Sequence, residues 1–250
     1  MQRILILAIA IMSLSVLADK KGYWVKPNSL AINYSLYRLK PTVEQINNHI
    51  KKVNPMLSSD ERVELASNII RITKCFGIDP WVFTGLVDKE SSFRAKVVSP
   101  TGAAGLTQFT SIALKEVNDQ LGLRGREGAH YKNIQYLNDK VKYCVNEGWV
   151  ELWDRVSVES DHPDFYVQLK EELKNDIEAS IVYGSILLKI YLSRINDREG
   201  DKNLKKSSIY FEALKIYNGE EGDNKIIYAK DVMRNSIEAY PKDVQFSFLK

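Results

Sequence analysis

Apolar positions recur at helical spacing along most of this 250-residue chain, and no strand-rich region or internal repeat appears. Residues 43–53 read as a short helix stopped by Asn54-Pro55, since a proline drives the residue before it out of the helical region. Ser58 with Glu61 three residues on resembles a capping box. Val63, Ala66, Ile70 and Thr73, beside Leu65, Ile69 and Ile72, then give a broad apolar face that Gly77 closes. A further helix starts at Asp79, whose carboxylate can accept from first-turn N–H groups, with Pro80 at the first helical position. It ends near Ser91. Thr110 caps a helix carrying Ile112, Ala113, Leu114 and Val117 that stops near Leu121-Gly122. Asp176 caps a helix over residues 177–195 that is apolar nearly all round, as expected of a centrally buried one. Residues 208–217, ended by Asn218-Gly219, and residues 226–240 give two more. The pattern predicts a mainly α fold with little or no β.

Three stretches depart from it. Residues 4–16 form an apolar run behind Arg3, and Val16-Leu17-Ala18 offers a cleavage site before Asp19. This run is too short for a comfortable membrane span, and no Cys lies beside the cleavage point, so a soluble, exported product is expected, periplasmic or secreted. Residues 19–40 hold Tyr23, Trp24, Tyr34 and Tyr37, punctuated by Pro27 and followed by Pro41, without helical period; they either wrap the domain, the commoner outcome, or stay mobile until a partner arrives. In residues 123–175 a basic, glycine-rich loop (Arg124, Gly125, Arg126, Gly128) precedes short helices near 134–145 and 149–158 and a segment 164–174. The expected organisation is a signal peptide 1–18, an N-terminal segment 19–57, a domain 58–240 interrupted by the insertion 123–175, and a tail 241–250.

Charge and composition narrow the functions. The chain has 35 Lys+Arg and 32 Asp+Glu; removing Arg3 with the signal leaves 34 − 32 = +2, a balance that argues against a nucleic-acid binder. His49, His130 and His162 are scattered without ligand spacing, so neither metal nor other cofactor is expected. The glycines of residues 122–128 lack the Lys-Ser/Thr of a phosphate loop, and no G-x-S-x-G turn occurs. Cys75 and Cys144 are even in number and suit an oxidising compartment, which leaves a bridge and two separately buried thiols equally open.

Candidate chemistry gathers in residues 79–113. Phe83, Leu86 and Val87 lie seven, four and three positions before Glu90, which puts the carboxylate on their apolar face. Desolvation and the unpaired carbonyls of the helix end would both raise its pKa, as suits a proton donor to a glycosidic oxygen. The alternative is an ordinary last-turn Glu facing water. Asp88 falls on a different face and is expected to be solvated. Ser99-Pro100-Thr101-Gly102 has type I turn preferences, and Gln108 is one amide among apolar neighbours, facing a cleft or satisfying loop backbone.

The block E-S-S-F followed by S-P-T-G-A-A-G-L-T-Q, with Ser99 nine and Gln108 eighteen residues after Glu90, resembles the first two motifs of the lytic transglycosylase family related to soluble lytic transglycosylases and goose-type lysozymes. A-L-K-I-Y-N-G at residues 213–219 is similar to its Ala-Tyr-Asn-Gly block. Tyr228-Ala229 through Val232 resembles its closing Tyr-and-Val helix. The likeness covers residues 58–240 apart from the insertion. It implies a lysozyme-like α-helical domain that acts on peptidoglycan glycan strands and cleaves the MurNAc–GlcNAc bond without water. Glu90 would serve as acid then base, Gln108 and Tyr217 would hold the sugar, and Ser99 and Asn218 would assist at the cleft edge. Ser91 is the family's Ser after the Glu, and equally a helix-end cap.

Thr107 stands where the common family form has Met, and Glu220-Glu221 follow Gly219 where it has a small residue. Glu127, Glu147, Glu220 or Glu221 would be the missing base if the chain is a lysozyme-like hydrolase. A third reading is an exported wall-binding or assembly protein of weak catalysis. The insertion either walls the cleft, binds a protein partner, or pads the far side.

Overall fold

The computed structural model describes residues 25–36, 40–120, 139–141, 143–145, 164–199, 204–219 and 222–241. Those residues are mostly helical, with two isolated bridges (Val98 with Ala104, Ala104 with Phe109) and no strand among them, consistent with a lysozyme-like α domain. Chain order gives α1 Pro27–Leu30, α2 Val43–Val53, α3 Ser59–Cys75, α4 Pro80–Ser91, α5 Ser111–Gln120, α6 Phe165–Asn175, α7 Ile177–Glu199, α8 Lys206–Tyr217 and α9 Asn224–Ala239. The segment expected at 149–158 lies outside the described residues. Of the one at 134–145, residues 139–141, 143 and 144 are helical.

Local chemistry sets the ends of these helices. Thr42 with Gln45 and Ser58 with Glu61 form complete capping boxes at α2 and α3. At the end of α3, Ile78 N–H donates to Thr73 O (2.8 Å) and Gly77 N–H to Lys74 O (3.0 Å), a pairing that needs the positive φ of Gly77 (+66°). Asp79 Oδ1 accepts from the N–H of Trp81 (2.9 Å) and Val82 (3.4 Å) to start α4, while its Oδ2 accepts from Leu36 N–H (2.7 Å).

Two helices organise the core. In α4 every residue from Pro80 to Val87 is buried, and α9 lies along it so closely that a Cβ on Gly85 would sit 2.6 Å from Val232 O and Ser236 N. The longer α7 is buried through most of its length and carries α8, α3, α5, α6 and α1 around it. The wrapping expected of the N-terminal stretch occurs over residues 25–36, with one short helix in it, and it follows a single stripe of α7. Lys189 Nζ donates to Ile32 O (2.5 Å) over the Tyr34 ring, Ser193 Oγ donates to Ser29 O (3.3 Å), and Asp197 Oδ2 accepts from Lys26 N–H (3.0 Å) and Ser29 Oγ (3.2 Å). Burial lowers the pKa of Lys189 to about 7. Cys75 and Cys144 are bridged, Cα to Cα 5.9 Å, which ties the end of α3 to residues 143–145; Arg71 donates to Cys144 O at the same junction and pairs with Glu178 of α7 (2.9 Å).

Candidate active site

The packing of α4 against α9 and of α8 against α7 leaves a cavity of about 550 Å³. Glu90 enters it from the last turn of α4, and Ser99, Thr107 and Gln108 from the loop that follows. Leu187 and Tyr191 of α7 and Tyr217 and Asn218 at the end of α8 close the other side. Five of the six residues singled out in the sequence, Glu90, Ser99, Gln108, Tyr217 and Asn218, therefore line one cavity. Ser91 is not brought there: it is buried, and its hydroxyl donates back to Val87 O (3.2 Å).

Glu90 stands on the apolar face formed by Phe83, Leu86 and Val87, each fully buried. Burial raises its pKa to about 7; a hydrogen bond from Tyr228 and the charge of Lys89 pull the other way. The Tyr228 hydroxyl of α9 donates to Glu90 Oε1, and burial together with the nearby carboxylate holds that phenol well above its ordinary pKa, so it stays a donor. The sequence placed Tyr228 in a motif without giving it a role. A partner 138 residues away carries no local signal beyond that motif.

The turn behind Glu90 is held by packing where glycine is absent. Ser92 (φ 50°) and Phe93 (φ 61°) are both left-handed, a conformation unfavourable for side-chain-bearing residues and tolerated where the surroundings fix it. Phe93 is buried edge-on to His49 at 5.9 Å, and His49 Nε2 lies 3.0 Å from Asp88 Oδ2. Asp88, expected to be solvated, is thus corrected to a partner of α2: its face of α4 is covered by that helix, which sequence periodicity within α4 could not reveal.

The loop from 97 to 109 is folded by its own backbone. Gly102 N–H donates to Ser99 O (2.9 Å), closing the expected turn, and Gly105 N–H donates to Val97 O (3.0 Å). Ser99 Oγ accepts from Ala103 N–H (3.0 Å) and meets Thr101 Oγ1 (2.9 Å). Gln108, left-handed at φ 50°, donates through Nε2 to Gly105 O (2.9 Å) and Val97 O (3.3 Å). Both readings of this residue hold together: the amide nitrogen serves the loop, which leaves the amide oxygen as the group free of those bonds. From behind, α6 supports the same loop, with Lys170 Nζ donating to Gly102 O (3.2 Å) and Leu169 and Leu173 buried. This end of the insertion 123–175 thus packs on the cleft loop.

Across the cavity, the Tyr217 hydroxyl donates to Thr107 O (3.3 Å), and burial with the nearby Glu90 raises its pKa well above the ordinary value. Asn218 Nδ2 is buried and has no hydrogen-bond partner among the described residues. No group of His, Cys, Asp or Glu among the described residues is arranged to hold a metal ion. Among the described residues, the chemistry available is that of one carboxyl group of raised pKa beside several hydrogen-bonding groups.

Comparison with known proteins matches residues 67–143 to the family described as the transglycosylase SLT domain, a span of less than a third of the chain. No curated protein and no solved structure matches the chain. The matched span holds Glu90, Ser99 and Gln108, while Tyr217, Asn218 and Tyr228 lie beyond it. The segment that supplies the acid and the loop after it is similar to the transglycosylase SLT domain, consistent with the lytic transglycosylase family that its motifs resemble.

Proposed function

We propose that the chain is an exported lytic transglycosylase that cleaves the β-1,4 bond between MurNAc and GlcNAc and leaves 1,6-anhydroMurNAc. The observation that carries this reading is that Glu90, with its pKa raised to about 7, is the one carboxylate among the described residues lining the cavity. In the first step the Glu90 carboxyl gives its proton to the glycosidic oxygen as the C1–O bond breaks and the GlcNAc end leaves as an alcohol. Positive charge develops at C1. The ionised Glu90 then takes the proton of the C6 hydroxyl of the same MurNAc, whose oxygen bonds to C1 and closes the anhydro ring. The acid is restored, and no water is consumed.

Each of the other groups has a part in this scheme. Tyr228 fixes the carboxyl and stabilises its ionised form between the two steps, by the same hydrogen bond that keeps its pKa from rising further. Gln108 and Tyr217 line the cavity, and the partial negative charge of their side-chain oxygens would favour a cationic C1. Asn218 Nδ2 would find in the sugar the acceptor that the described residues do not give it. Export is proposed because the substrate lies outside the cytoplasm and residues 4–16 read as a leader. No helix among the described residues is long and apolar enough to cross a membrane.

Glu90→Gln keeps the shape of the side chain and removes the transferable proton. Release of soluble muropeptides from purified sacculi is expected to fall at least about a hundredfold. Wild-type turnover in that variant would overturn the assignment.

A further inference from the structure

Most polar groups around the cavity are committed within the protein. Tyr217 donates to Thr107 O, Tyr228 to Glu90, and the Gln108 amide nitrogen to two loop carbonyls. Tyr191 differs from them. It lines the cavity from α7, one turn beyond Leu187, and its hydroxyl makes no hydrogen bond to any described residue.

The ring itself is nevertheless held in place. Tyr217 meets it edge-on, centroids 6.2 Å apart at 89°, and the guanidinium carbon of Arg194 lies 5.5 Å from its centroid. Arg194 is in turn paired with Glu116 of α5, whose carboxylate also accepts from Gln120 Nε2 (3.2 Å). Fixing the ring in advance removes most of the entropy that a mobile side chain would lose on binding a ligand. Burial first, and then Glu116, raise the pKa of the phenol to about 12, so the hydroxyl remains available as donor and acceptor at neutral pH.

We propose that Tyr191 is a substrate-binding residue, whose hydroxyl hydrogen-bonds a hydroxyl or acetamido group of the glycan ring seated against α7 and α8. This rests on the reading of the cavity as a glycan cleft. It adds to it a contact that no motif supplies, held by an ion pair that joins α5 to α7.

The test measures binding apart from turnover. The full chain carrying Glu90→Gln is titrated calorimetrically with a peptide-free GlcNAc–MurNAc tetrasaccharide, alone and with Tyr191→Phe. Loss of one neutral hydrogen bond is expected to raise Kd roughly 2- to 12-fold. Tyr191→Ala should raise it further, and the thermal midpoint of the Phe variant should stay at that of its parent. In the enzyme with Glu90 intact, Tyr191→Phe should act on KM more than on kcat. An unchanged Kd in folded Tyr191→Phe would overturn the inference and leave the proposed function standing. If the Glu90→Gln chain binds no tetrasaccharide at millimolar concentration, the glycan-cleft reading fails and this inference fails with it.

Discussion

A carboxylic acid that donates its proton near neutral pH needs surroundings that make ionisation costly, and the apolar face around Glu90 supplies them. The same cost appears in stability. Glu90 titrates near 7 in the folded chain against an ordinary value of 4.5, so between those pH values the folded chain holds a proton that the unfolded chain has released. Stability therefore falls as pH rises through that window, by a total on the order of 3 kcal/mol. Glu90→Gln removes this dependence. The variant is expected to match wild type near pH 4 and to be the more stable above pH 7, as denaturant unfolding at several pH values would show. A difference that does not grow with pH would contradict the buried-acid account. The inward face of Glu90 was legible because it depends on spacing within one helix. The Tyr228 hydroxyl, the His49 partner of Asp88 and the free hydroxyl of Tyr191 were not, because each depends on which helices meet.

At the scale of elements, helix ends were the most legible feature, since Ser58, Gly77, Asp79, Thr110 and Asp176 each act on backbone groups within a few residues. The Thr42–Gln45 box has the same sequence form as the Ser58–Glu61 one and caps α2 in the same way. How α4 and α9 pack was not legible, because Gly85 has meaning only with α9 against it. A methyl group there would meet backbone atoms at 2.6 Å, and backbone cannot turn aside as a side chain can. The helices would have to separate, carrying Tyr228 from Glu90. Gly85→Ala is expected to destabilise the chain by about 2 kcal/mol or more, against the gain of roughly 1 kcal/mol that alanine brings to an open helix, and to lower turnover on sacculi. A more stable variant of full activity would show that the contact between the two helices is loose.

For the whole molecule, the Cys75–Cys144 bridge closes a covalent loop, 69 residues in separation, and neither cysteine lines the cavity. Spacing alone left pairing open, because sequence does not say whether two side chains meet. Replacing both by Ser is expected to cost about 2–5 kcal/mol of stability while leaving turnover at low temperature close to wild type. Loss of turnover in a variant that remains folded would tie the bridge to the site itself. The fold as a whole brings one ionisable acid, Glu90, to the described wall of the cavity, and a ring-closing attack by the sugar's own hydroxyl needs no second one. The most direct measurement of this claim is mass spectrometry of muropeptides released from intact sacculi in oxygen-18 water. Products ending in 1,6-anhydroMurNAc, each lighter by one water than a hydrolysis product and free of label, are expected. Reducing-end MurNAc carrying oxygen-18 would contradict the account and assign the chain to hydrolysis.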